Sequence, residues 1–420
     1  MLRIVSGISD YFHRKIASLG ITNYDMFMKR EVSFYLTVVT LLSLFIVNSV
    51  YGEDGRCRIS KEALREASII RGLAIKEETP CLLHGKEEVK GYLLATINTK
   101  IPQSRLIAES TVYKAFGFLP KDFNYEKGLV DLYLDQLGGY YDPDKNYYVM
   151  ASWIPDILQT SVAVHELTHA LQDQHFNLNN FIKQDDYSSD ELMARSALVE
   201  GDATAVMMDY SYKLIGQPPL SEKDNVSGII LQNSLGTMLM PGLAQVPLSL
   251  KLILMFPYSS GLRLAHEGLK KGGYEQLNKM FSAPPRSTEE VLHPEMYFDP
   301  NPSFKKINLS AGEGQKMLFA DTLGEFSLSA LMATHEENKT KVGVASSGWG
   351  GDRVILTESA AGKMEAVWKI SWDTSKDAQE FCQLYKGILP KIKMYGKSER
   401  PSILDIECHQ QETTLRWREL

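Results

Sequence analysis

One stretch, Pro155 to Phe176 (PDILQTSVAVHELTHALQDQHF), limits what this chain can fold into more than any other. Its apolar residues Ile157, Val162, Val164 and Leu171 recur at helical spacing and form a back face. His165 and His169 stand four apart, so on a helix both imidazoles point the same way. Glu166 is one step round from the first histidine. Two imidazoles on one face can share a metal ion, and the neighbouring carboxylate can take a proton from the ion's water. The bland alternative is two surface histidines on an ordinary helix.

A catalytic zinc takes three protein ligands and keeps one position open. Two residues compete for the third place. His175 lies six residues after His169, where metzincins place a histidine after a chain-turning glycine, but position 172 is glutamine. If the helix continues, His175 points about 120° off the histidine face. The other candidate is Glu200 in ALVEGDAT, on a helix expected to begin at Ser188 with Glu191 as capping-box partner. A glutamate in an apolar stripe is costly unless paired or metal-bound, which favours Glu200. Gly201 and Ala203 are small enough to let that helix approach the first closely.

Flanking segments supply the organisation. Residues 53–137 read as mostly helical, with SRLIAESTVYKAFGFL and EKGLVDLYLDQL as clear segments. Tyr140 to Met150 reads as two short strands around Asp142-Pro143-Asp144. From Ile229 to Phe256 the chain is apolar and methionine-rich. Pro241, Pro247 and Pro257 should cut it into core helices around a cleft. Ser287 to Leu292 is another capped start. Residues 304–420 alternate strands (KVGVASSGW, RVILTES, EAVWKISW) with a helix near Asp377 to Tyr385, a smaller α+β C-terminal domain. The expected class is therefore α+β and mainly helical. GWGGDR is read as a turn or bulge, and the acidic run Asp185 to Glu191 as a solvated loop.

Phe34 to Val47 is an apolar run behind Met28-Lys29-Arg30, with small residues near Gly52. Read from Met28, residues 28–52 are a signal peptide; read from Met1, they are a signal anchor with membrane attachment through 34–51. Residues 1–27 are then an N-terminal extension. Either way the body is exported, to a periplasm or the extracellular space. Cys57, Cys81, Cys382 and Cys408 all follow this segment, and four cysteines allow three connectivities. The local pairs Cys57–Cys81 and Cys382–Cys408 are expected, each worth roughly 3 kcal/mol in the loop-entropy model. Four free buried thiols are the alternative. With 45 Lys+Arg against 52 Asp+Glu, a net charge of −7 argues against a nucleic-acid partner.

HELTHALQDQHF followed by ALVEGDAT resembles a gluzincin-type zinc metallopeptidase, the thermolysin-like group. The wider pattern, with GGYYDPDKNYYVM, APPRSTEEVLHPEMYF and GWGGDR, is similar to mostly uncharacterised secreted bacterial HExxH proteins. That likeness spans most of the chain after Gly52, but only the zinc motif is specific about chemistry. It implies a zincin-like catalytic region over 138–303 with a short edge sheet, and one Zn2+ held by His165, His169 and Glu200. Glu166 would be the general base, and the substrate a peptide or protein. It also implies that the strand carrying Tyr147 and Tyr148 edges the cleft and pairs with an extended substrate; an ordinary edge strand is the alternative. His293 is a candidate oxyanion donor, with Tyr258 and Tyr297 as rivals and Tyr258 a further substrate contact. There is one departure. Thermolysin-like enzymes carry an aspartate four residues after the ligand glutamate, and here that position is Thr204. The partner orienting a histidine is then expected from Asp202, Asp173 or elsewhere. A non-catalytic envelope binding protein on the same scaffold, or a zinc hydrolase of another substrate, are the rival functions. Oligomeric state is not readable.

Overall fold

Two helices carry the candidate site, and the packing around them explains most of the architecture. A computed structural model describes residues 53–183, 186–231, 243, 245–299, 305–397 and 401–420. The 28–52 segment, Asp185, Pro241 and the 303/304 boundary lie outside them. Residues 53–420 form one compact unit of α+β class. Among the described residues no helix is long and apolar enough to cross a membrane.

Helix α1 (Glu53–Arg71) leads to strand β1 (Cys81–His84), then α2 (Lys86–Lys100), α3 (Gln103–Phe116) and α4 (Tyr125–Gln136). Strands β2 (Gly139–Asp142) and β3 (Tyr147–Ala151) follow, and then α5 (Asp156–Phe176), the histidine helix. Val164, Leu167, Ala170 and Leu171 of α5 are fully buried, packing with Ala63 and Ala67 of α1. Each buried Leu or Val stabilises the fold by about 1.5–3 kcal/mol. Ile157, expected in that face, is instead 63% exposed, because it sits in the first turn, ahead of the buried stretch.

Strand β3 lies in the middle of a three-stranded sheet, parallel to β1 and antiparallel to β2. Both of its edges are therefore paired, which corrects the expectation of a cleft-edge strand carrying Tyr147 and Tyr148. Tyr148 is fully buried. The sheet edge on the α5 side belongs to β2, whose residues are buried.

Helix α6 (Ser189–Leu214) begins where the capping pattern placed it, with the Ser188 hydroxyl accepting from the Glu191 amide. It packs on α7 (Leu248–Ser282), which runs straight through Pro257 and breaks only at Gly272 and Gly273. Proline inside a helix costs about 3 kcal/mol. Burial of Phe256, Leu262 and Leu264 around it offsets that loss, so the expected break at Pro257 is absent. A Cβ on Gly201 would lie 2.1 Å from the Gly261 carbonyl oxygen, and one on Gly261 would lie 2.1 Å from that of Ala197. The small residue next to Glu200 thus serves an approach to α7, not to α5 as its position had suggested.

Helix α8 (Thr288–Leu292) is capped by Ser287, as expected. The C-terminal sheet is antiparallel, in the order β4 (Lys316–Asp321), β5 (Trp349–Glu358), β6 (Met364–Trp372), β8 (Glu412–Glu419), β7 (Ser402–His409). Helices α9 (Gly324–His335), α10 (Lys339–Ser346) and α11 (Ser375–Lys393) complete it. Most of KVGVASSGW, expected as a strand, lies in helix α10. Asn338 caps it, and Val342 and Ala345 bury at helical spacing. The Gly350-Gly351 region is a bulge in β5, as read. Asp352 beside it is buried and accepts from the Leu323 and Gly324 amides and from the indoles of Trp349 and Trp368. This sheet shares its core with α3 and α4, through Phe116, Phe118 and Leu132. It also seats the start of α6, where Ser189 donates to Asp321 and Asp190 accepts from Thr288.

All four cysteines are paired, Cys57–Cys81 and Cys382–Cys408, the two local bridges. Two disulfides fit an oxidising, exported environment.

Replacing Gly261 by alanine puts a methyl group into backbone that has no side chain to yield. The expected cost is roughly 1–3 kcal/mol, read as a lower urea midpoint. An unchanged midpoint would show that the α6–α7 contact is looser than described.

Candidate metal centre

The third and fourth turns of α5 and the middle of α6 bring His165, His169 and Glu200 together. His165 Nε2 lies 3.1 Å from Glu200 Oε2, His169 Nε2 lies 3.2 Å from His165 Nε2, and His169 Nε2 is 3.4 Å from the same carboxylate oxygen. Among the described residues these three form the one group able to hold a metal. An ion bound tetrahedrally at about 2.0–2.1 Å needs donor atoms about 3.3 Å apart. The three observed separations bracket that value, so the residues fit zinc.

The electrostatics agree. Burial opposes charge on His169, but the Glu200 carboxylate outweighs it and lifts the imidazole to about 9. Burial would likewise raise Glu200, yet the two imidazoles pull it far below the usual carboxylate range. Each group shifts toward the form that places positive charge between them. A proton serves that need without a metal, so metal and proton compete for one place.

Glu166 is not one of the three donors. Burial raises its carboxyl above the ordinary value, against the pull of His165 and His169. Its Oε2 accepts the backbone N–H of Tyr141, 3.2 Å away, from β2. Ala151 N–H pairs with the Gly138 carbonyl, so Gly139 and Tyr141 turn their backbone groups away from β3. The open edge of β2 therefore faces the general-base candidate. Glu200, and after it burial, raises the Tyr258 hydroxyl well above its usual value. The Tyr258 ring lies 6.1 Å from that of His165. It stands one turn before Gly261, so the glycine contact places Tyr258 as well as Glu200.

Other candidates fall elsewhere. Helix α5 does continue past Gln172, and His175 bonds the Ala74 carbonyl at 2.7 Å. His293, the oxyanion-donor candidate, is joined to Glu325 at 3.1 Å. Tyr297 donates to the Ala283 carbonyl. Tyr147 points to Lys145. Asp173 accepts from Tyr141 Oη and the Leu178 amide, not from a histidine. Asp202 reaches His169 only through Gln172. His165 Nδ1 and Thr204 Oγ1 are buried without a hydrogen-bond partner. Sequence reading missed Tyr141, Gln172 and Arg71. Gln172 was legible in hindsight, three residues after His169 on the same face; Arg71 left no signal.

A family model described as a domain of unknown function (DUF8575) matches residues 315–415, the stretch from β4 into β8, and leaves the triad outside. No curated protein and no solved structure matches the chain.

Two substitutions separate the candidate third ligands. Glu200→Gln should lower zinc affinity by at least about tenfold, measured by chelator competition, while His175→Ala should leave it unchanged. The reverse pattern would reassign the third ligand to His175.

Proposed function

We propose that this chain is an exported, single-zinc metallopeptidase with a gluzincin-type site on a zincin-like core. Three donor atoms spaced for one ion, beside a carboxylate that is not among them, support this reading most directly. Zinc at this site would supply Lewis-acid polarisation of a carbonyl and a water of lowered pKa. Glu166 takes the proton of the attacking water. Its burial keeps the carboxyl basic enough to hold that proton and then to deliver it to the leaving amine. The Tyr141 amide fixes the carboxylate's orientation from one side. Tyr258, whose ring lies 6.1 Å from that of His165, is the candidate donor to an oxyanion at this site. On this reading an extended peptide adds as a strand along β2, on the backbone groups of Gly139 and the Tyr141 carbonyl that turn away from β3. The base favours catalysis over the binding-protein rival, which needs ligands alone.

Glu166→Gln keeps the side chain's size and its hydrogen bond to Tyr141 but cannot accept a proton. Zinc should stay at one equivalent per chain, read by elemental analysis. Cleavage of a peptide library should fall by about 10²–10⁴-fold. Retained cleavage would remove Glu166 from the mechanism; a parent that binds zinc and cleaves no peptide would favour another substrate.

Export has its own test. Protein from native cells should begin at or near Glu53, after cleavage close to Gly52. An intact segment 28–52 in a membrane fraction would instead establish the anchor. Cytosolic recovery with four reduced thiols would contradict export altogether.

A further inference from the structure

We infer that Gln172, held by the buried Asp202–Arg71 pair, is a positioning residue that fixes His169 with its proton on Nδ1 and its Nε2 lone pair turned into the triad. This rests on the reading of the triad as a metal site. The chain of hydrogen bonds leaves one assignment. Gln172 Nε2 lies 3.0 Å from the Val199 carbonyl and 2.9 Å from Asp202 Oδ2. Both partners only accept, so the end of the side chain facing them is the NH2 group. Its Oε1 therefore faces His169 Nδ1, at 2.8 Å, and an amide oxygen only accepts. His169 must donate from Nδ1, which leaves Nε2 free as a donor atom for a cation.

The glutamine is itself held from behind. Asp202 is fully buried, as are Gln172 and Arg71. Arg71 Nε donates to Asp202 Oδ2 at 2.8 Å and lies 2.7 Å from Oδ1. The guanidinium sits 5.2 Å from the centre of the Tyr274 ring, on α7. A buried carboxylate without a partner is costly, and this ion pair removes that cost. Three helices thus meet on one ligand: α1 brings Arg71, α6 brings Asp202, and α5 brings Gln172 and His169. A carboxylate touching His169 directly would add negative charge to the triad. The carboxamide orients the ring without doing so, because the charge behind it is already neutralised by Arg71.

His165 provides the internal contrast. Its Nδ1 has no partner, so on this assignment His169 is the pre-oriented ligand of the two.

The test uses the complete chain and reads zinc affinity by chelator competition, with the thermal midpoint of the zinc-free protein alongside. Q172M keeps the volume and removes the acceptor, and should weaken zinc binding by about 10–100-fold. A purely structural role would lower the midpoint of Q172M while leaving its zinc affinity unchanged, and that result overturns the inference. If Q172M does not fold, Q172N, too short to reach both His169 and Asp202, carries the same comparison. A parent that binds no zinc overturns the metal reading and this inference with it. A parent that binds zinc, with Q172M binding equally well, overturns the inference alone.

Discussion

Backbone against backbone at Gly201 and Gly261 is the contact on which the rest of the site depends. With no side chain between them, α6 and α7 come close enough for each glycine's missing Cβ to coincide with the other helix's peptide. Glu200 is next to one of these glycines and Tyr258 is one turn before the other. A wider crossing would carry both away from the histidines on α5. Close packing thus does geometric work that no single hydrogen bond could do, because interiors at this density transmit a small shift along whole helices.

Charge explains the layers behind that contact. The triad favours a cation at its centre, as the opposite shifts of His169 and Glu200 show. Behind it, Arg71 balances Asp202, so the carboxylate nearest the ligands brings no uncompensated charge. Farther out, Asp352 gathers four N–H donors where the C-terminal sheet meets α9, and Asp190 and Asp321 dock the start of α6 on the same region. The matched region from 315 to 415 therefore does not stand apart from the triad. It anchors the end of the helix that carries Glu200. The disulfide Cys57–Cys81 plays a similar part on the other side, tying α1, with Arg71 at its end, to β1.

Sequence patterns revealed the parts governed by local spacing. Histidines four apart fix a shared helix face, and Ser188 and Ser287 mark helix starts through short-range capping that survives in any context. The paired cysteines lie 24 and 26 residues apart, within reach of nearby elements. What escaped depends on partners distant in sequence. Strand β1 has only four residues, too few to show a period, so β3 looked like an edge. KTKVGVAS alternates valines as a strand does, and only its burial against the rest of the core makes it a helix. Gly201 could be recognised as a site of close approach, but not which helix approaches. The Arg71–Asp202 pair spans 131 residues and has no pattern at all.

X-ray absorption at the zinc edge, on protein loaded with one equivalent, addresses the site most directly. Two imidazole nitrogens and an oxygen shell at about 2.0–2.1 Å are expected, with the imidazole signal unchanged in His175→Ala. A shell with three imidazoles, or one that loses an imidazole in that variant, would contradict the assignment of His165, His169 and Glu200.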